Sequence, residues 1–503
     1  MARRSLALIA AALVLALTLV PIGAVTLRAG GFSGFAPGDG QALRFTLLQA
    51  FLSGLFSVLA AVPVARALAR RRFAGRGLLV ALLGAPFILP VIVAVLGLIA
   101  TFGANGLVNR GLAALGLPEV TIYGLHGVVL AHVFFNLPLA TRLLLQGWLA
   151  VPAERLRLAA ALGLTPWAVF RTIEAPMLAR ILPGAFAVIF VICLSSFAVA
   201  LTLGGGPRAT TVELAIYQAM RFDFDLGRAA ALSLLQLALA TAAGLVALKL
   251  SGGTGFGAGL DRVVPRWDGQ GRGQRALDAL AIGVVALFLL TPLSLVALRG
   301  LPGLALLGPE TWVAAGHSLS VALASTALCL AWALPLATRR GEALGLLGIA
   351  ISPLVLGTGL FLLLRPVVNP FTLALPVTAL INALVSLPFA LRILRPEAEA
   401  IRADFGRLSA ALGLTPWAWL RWVFLPRLRR PLGFAAGLSA ALSMGDLGVI
   451  ALFADPERAT LPLHVYRLMG SYQMQAAQGA ALLLLGASLA IFWLFDRGGR
   501  VYA

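Results

Sequence analysis

The sequence predicts an all-α polytopic membrane protein with about twelve transmembrane helices in two parallel six-span repeats. Three observations carry that prediction. First, 60% of the 503 residues are hydrophobic and only 12% are charged, against roughly 45 to 50% and about 25% in soluble globular domains. Second, the apolar residues fall in runs long enough for a bilayer crossing, which takes about 20 residues. Third, the octapeptide ALGLTPWA occurs at Ala161 to Ala168 and again at Ala411 to Ala418, a shift of 250 residues. Large soluble domains are thereby excluded. Cys193 and Cys329 stand singly in apolar stretches, which excludes a disulfide framework or a Cys-based metal centre.

The first span is expected at Ser5 to Leu27, after Arg3 and Arg4; its apolar run exceeds the roughly 7 to 15 residues of a signal-peptide core. Five more are expected near 41–65, 77–101, 122–148, 179–203 and 227–250, completing a repeat over 1–250. Residues 251–276, rich in Gly and Arg, read as a linker. The second repeat, 277–503, then carries spans near 277–298, 312–337, 344–364, 372–394, 431–454 and 476–495. With both termini in the cytoplasm, 29 of the 39 basic residues fall on the cytoplasmic side. Arg66, Arg70, Arg71, Arg72 and Arg76 lie in one such loop. The net charge of +20 is thus read as a topology signal under the positive-inside rule, not as a nucleic-acid surface. The repeat extends further: Leu137-Pro138 matches Leu387-Pro388, and Thr211, Leu214, Tyr217 and Met220 match Thr460, Leu463, Tyr466 and Met469. An even number of spans per copy makes the repeats parallel.

The longest cytoplasmic loops, about 149–178 and 395–430, surround the octapeptide. Gly163 suits a helix C-terminal cap, Thr165 an N-cap and Pro166 the first position of a following helix. Gly413, Thr415 and Pro416 repeat that pattern. Each loop is therefore expected to be a helix, a sharp turn and a second short helix, with Pro176 and Pro426 marking the return to the membrane. Trp167 and Trp417 are then exposed with apolar neighbours. Two readings remain open: interfacial anchoring by Trp and Arg, or a helix docked in a groove of a cytoplasmic partner.

The spacing of Gly163, Ile173 and Pro176, and of Gly413, Val423 and Pro426, resembles the EAA loop of inner-membrane permeases of binding-protein-dependent ABC importers. The fused, two-copy arrangement is similar to permeases for thiamine and for ferric iron. The stretches Ser195 to Ala230 and Ser443 to Phe453 favour thiamine, with its phosphates left open. The resemblance implies a MetI-like, type I ABC importer permease, a cytoplasmic ATP-binding subunit in two copies and a periplasmic substrate-binding protein. It also implies that Glu154, Ala161, Gly163, Thr165, Pro166, Trp167 and Pro176 meet the ATPase. So would their counterparts Asp404, Ala411, Gly413, Thr415, Pro416, Trp417 and Pro426. One departure stands out: the acidic position six residues before each glycine holds Arg157 and Arg407. Glu154 and Asp404, one turn earlier, are the available acids.

The chain contains no Gly-x-x-x-x-Gly-Lys-Ser/Thr cradle for ATP phosphates, so it is not expected to be an enzyme, and no cofactor is expected. Asp446, aligned with Ser196 by the repeat, is a candidate cation site on the path, since intramembrane charges face cavities or partners; a helix-to-helix hydrogen bond is the alternative. Tyr217 and Tyr466 are candidates at its entrance, beside Glu213, Asp223, Asp225, Asp455, Glu457 and Tyr472. His126 and His132 are six residues apart, a spacing unsuited to one metal, so no metal site is expected. They and Asn136 and Asn382 are expected to hydrogen-bond around helices broken at Pro138 and Pro388. A secondary transporter using Asp446 as its coupling carboxylate remains a competing class, but it leaves the repeated loops unexplained.

Overall fold

A computed structural model describes residues 2–29, 35–84, 88–250, 266–453 and 456–500. Most of the expected linker, 251–265, and Asp455 lie outside the described residues. In the first repeat the helices are α1 (Ala2–Ala29), α2 (Asp39–Arg70), α3 (Arg76–Leu82), α4 (Val91–Phe102), α5 (Leu107–Ala114) and α6 (Leu125–Leu149). Next in order are α7 (Ala153–Ala161), α8 (Pro166–Val169), α9 (Ala175–Leu194), α10 (Ala198–Leu203), α11 (Val212–Arg221) and α12 (Leu226–Leu250). The expected second repeat holds α13 (Arg272–Gly303), which already begins inside the expected linker, then α14 (Pro309–Leu336), α15 (Arg339–Ala350), α16 (Pro353–Leu364) and α17 (Ala374–Ala411). It ends with α18 (Pro416–Trp419), α19 (Leu425–Met444), α20 (Gly448–Phe453), α21 (Leu461–Gly470) and α22 (Met474–Arg500).

Eleven helices among the described residues are long and apolar enough to cross a membrane. The segment expected as a twelfth, 344–364, is instead two pieces. Ser352 caps α16 by accepting from the Leu354 amide at 3.1 Å, and Pro353 takes its first position. At 12 residues α16 is about 18 Å long and does not cross alone. The segment expected at 77–101 is split in the same way into α3 and α4. By contrast α6 and α17 run unbroken through Pro138 and Pro388, so the expected breaks there are not present.

The two repeats exchange their first helices. α1 packs on α16 and α14 of the second repeat, and α13 packs on α4 and α2 of the first. Glycine makes both crossings close: a Cβ on Gly359 would stand 2.4 Å from the Pro21 carbonyl oxygen, and one on Gly97 2.6 Å from that of Pro292. Van der Waals packing of this kind holds helices together where lipid removes the hydrophobic drive. Cys193 and Cys329 are both buried in this interior.

Candidate functional site

The two elbows are nearly superposable in their local chemistry. In the first, the amides of Gly163 and Leu164 donate to the carbonyls of Ala160 and Ala159, and Gly163 takes φ +60°. In the second, Gly413 and Leu414 donate to Ala410 and Ser409, with φ +64° at Gly413. This left-handed closure ends the first helix. Thr165 and Thr415 then cap the next helix, accepting from the amides of Ala168 and Ala418 at 3.3 and 3.2 Å. Pro166 and Pro416 occupy its first turn. The expected capping is therefore in place.

Beyond the caps, the structure departs from the expected separate short helix. α8 runs through a wide turn, Phe170–Glu174, into α9, and α18 runs through Leu420–Phe424 into α19. In this turn the Ala175 amide reaches back to Phe170 and that of Leu425 to Leu420, five residues away. Pro176 and Pro426 come next; widening the turn keeps their rings off the carbonyls that a regular helix would place against them. The elbows also differ at their entry. Val151-Pro152 ends α6 before α7, whereas Ile401-Arg402 lets α17 continue to Ala411.

Both elbows present an apolar face. Leu158, Leu162 and Trp167 are exposed, as are their repeat partners Leu408, Leu412 and Trp417; the two indoles are 69% and 66% exposed. Ala161, Ala411, Glu154 and Asp404 are exposed beside them, and Glu154 lies 3.9 Å from Arg157. The leucines were not among the expected site residues, although their spacing of four residues puts them on one helical face.

A second matched pair lies deeper. α9 and α19 each stop, leave three residues non-helical and resume as α10 and α20. Ser196 sits in the first gap and Asp446 in the second, both half-buried. The ring of His132 joins Ser196 Oγ at 2.6 Å to Ser53 Oγ at 3.1 Å. At the repeat-equivalent position Asn382 donates to Ser443 Oγ at 3.0 Å. Asp446 Oδ1 accepts from the Gly448 amide at 3.2 Å, while its Oδ2 is buried without a hydrogen-bond partner. The gaps face each other, since a Cβ on Gly448 would touch the Phe197 ring at 3.6 Å. Non-helical backbone at such depth occurs where it lines a cavity or is buried in protein.

α11 follows the first gap and α21 the second along the chain, and α11 packs on α20. The Tyr217 and Phe197 rings meet edge to face at 5.3 Å. Burial raises the Tyr217 phenol, opposed by Arg221 and Arg467; burial and Tyr217 raise that of Tyr466. The structure thus brings Ser196, Tyr217 and Asp446 to one region through Phe197, with Tyr466 adjoining. Glu213, expected at an outer entrance, is instead fully buried, and burial pushes its carboxyl up to about 7. Ser352 and Gln236 lie near enough to favour the charged form, yet neither closes a hydrogen bond to it. Asp223 does not stand free either, pairing with Arg228 at 3.0 Å.

On the elbow side, arginines read from sequence as topology signals enter a buried ionic network. Glu174, in the wide turn of the first elbow, meets Arg66 and Arg266, each at 2.7 Å, and accepts from the Trp148 indole at 3.1 Å. Arg266 also forks onto Asp268 at 2.8 and 2.6 Å. Arg70 and Arg71 each reach Asp278 at 2.7 Å. Only the long-range pairing of opposite charges separates these residues from solvated loop charges, and no local motif announces it.

Among the described residues no group of three or more His, Cys, Asp or Glu is placed to hold a metal ion. No family model matches the chain. It is 40% identical over 488 residues to the thiamine transport system permease protein ThiP of Brucella abortus, covering 93% of this chain and 90% of that one. It is 41% identical over 474 residues to ThiP of Salmonella typhimurium, covering 90% and 88%. A shorter match, 31% over 199 residues, pairs 39% of this chain with 71% of the sulfate transport system permease protein CysT of Escherichia coli.

Proposed function

The chain belongs to the ThiP family of thiamine transport system permeases, and we propose that it forms the path by which thiamine crosses the bacterial inner membrane. The elbow side faces the cytoplasm in this reading, with both termini there. The observation that carries the mechanism is the duplication of one exposed surface, Leu158, Leu162 and Trp167 against Leu408, Leu412 and Trp417. Two identical apolar knobs suit two copies of one ATP-hydrolysing subunit, each offering a groove to a helix. Gly163 and Gly413 fix the angle of each knob by a left-handed turn. Glu154 and Asp404 supply the rim charge in place of the usual acid.

Closure of the two ATPase subunits draws the elbows together. Because α8 and α18 continue into α9 and α19, the motion passes along rigid helices to the gaps at Ser196 and Asp446. Rocking of the repeats 1–250 and 277–503 about these gaps gives alternating access. Asp446, with an oxygen lacking a partner, offers a negative charge to the thiazolium cation of thiamine, and Phe197, Tyr217 and Tyr466 offer aromatic faces. A periplasmic binding protein delivers the cargo to the side of α11 and α21.

The test is reconstitution in liposomes with the ATPase and the binding protein. ATP-dependent accumulation of thiamine that requires both partners supports the reading. Accumulation driven by a proton gradient without the ATPase refutes it in favour of a secondary transporter. Uptake of ferric iron with none of thiamine moves the cargo to iron.

A further inference from the structure

Among the described residues, the first elbow is tied into the buried ionic network and the second is not. The position matching Glu174 in the second repeat is Phe424, and there Arg402 lies over the ring, 5.3 Å from its centroid. Glu174 ties the first elbow to Arg66 of α2 and Trp148 of α6 in its own repeat and, through Arg266, to the segment that leads into α13. Arg266 precedes, and Asp268 lies within, the turn Trp267–Gly269, which packs on α8. The Arg71 guanidinium donates to the Gly269 carbonyl, and Arg70 and Arg71 hold Asp278 in the second turn of α13. Arg66, Arg70 and Arg71 themselves end α2. Glu174, Asp268, Asp278, Arg70 and Arg266 are all nearly sealed from solvent.

The geometry points to a latch: Arg266, bridging Glu174 and Asp268, makes the first elbow and the foot of α13 move as one body. α13 packs on α2 and α4 of its host repeat and on α22 of its own. A stroke at the first elbow is therefore delivered to both repeats through α13, whereas the second elbow acts within its own repeat, through α17, α19 and the Arg402 bond to the Ala337 carbonyl after α14. Arg266 is a positioning residue: its side chain is buried behind the elbow and is not part of the exposed docking surface. The inference rests on the reading that the elbows receive the ATPase stroke.

Arg266→Ala is the informative change, because it leaves each acid a second arginine: Glu174 keeps Arg66 at 2.7 Å and Asp268 keeps Arg70 at 3.9 Å. The assembled transporter in liposomes is assayed for thiamine uptake and ATP hydrolysis together. The latch predicts that R266A keeps its ATPase bound and hydrolysing while uptake per ATP falls by about fivefold, within the range that network residues exert on coupling. R266K, which keeps the charge but not the fork, recovers part of the loss. A merely structural role lowers the yield and leaves uptake per ATP at the parental value, which overturns the latch. Should R266A fail to assemble, D268N, which frees Arg266 from the linker side, is judged by the same ratio. Trp167→Ala and Trp417→Ala separate the underlying reading: full ATPase association in both sinks the docking role itself, whatever Arg266 does.

Discussion

Gly97 lies against the carbonyl oxygen of Pro292, so close that a Cβ there would stand 2.6 Å away. Gly359 meets Pro21 in the same manner from the other repeat. These two contacts seat the exchanged helices α1 and α13. Because the obstructing atoms are backbone, relief requires shifting a whole helix. Gly97→Ala and Gly359→Ala are each expected to cost about 1 to 3 kcal/mol, read as a lowered melting temperature of the purified permease. Wild-type stability in both would contradict this packing.

Gly163 and Gly413 have open space around them but left-handed backbone. A bulky residue there is strained by about 1 to 2 kcal/mol through φ rather than through contact. Gly163→Val and Gly413→Val should insert normally and lose at least about tenfold in uptake, since a misangled elbow misaligns the docking face. Quantifying membrane-inserted protein alongside uptake tests both halves of that statement.

Trp167 and Trp417 make few contacts that folding needs, being 69% and 66% exposed. Their replacement by Ala should leave stability within about 0.5 kcal/mol. Association with the ATPase should weaken by about tenfold or more, as for aromatic anchors in an interface. Co-purification of the two subunits measures it.

Asp446→Asn preserves shape and removes charge. With the carboxylate facing a cationic cargo, uptake should fall by about tenfold, the scale of a charge-assisted contact. Stability should not fall, because Oδ2 has no partner to lose. Unchanged uptake would place Asp446 off the path.

Glu213 makes stability depend on pH in a stated direction. Burial raises its carboxyl from 4.5 to about 7, so between these values the folded chain holds a proton that the unfolded chain has released. Stability therefore falls as pH rises through this window and levels off above about 7, by about 3 kcal/mol in all. Glu213→Gln should abolish that slope in denaturation curves taken from about pH 4.5 to about pH 8.

The spans, the repeat and the elbow caps were legible because each rests on local signals: hydropathy, identity at a fixed shift, and the Gly, Thr and Pro preferences of helix ends. Three features were not. The division of 344–364 at Ser352 hides inside an apolar run, where hydropathy cannot distinguish one helix from two. Pro138 and Pro388 suggest breaks, yet neighbouring helices support the backbone around them and α6 and α17 continue. The pairing of Arg66, Arg70, Arg71 and Arg266 with Glu174, Asp268 and Asp278 joins residues up to 208 positions apart. Charge counting treats those arginines as loop residues and misses their partners.

The most direct measurement is uptake of labelled thiamine at low concentration by cells unable to synthesise it, with and without this gene and with the partner ATPase inactivated. Uptake is expected to be lost in both deficient strains. Normal uptake in both would contradict thiamine as the cargo, and loss only without this gene would contradict the ATP-driven mechanism.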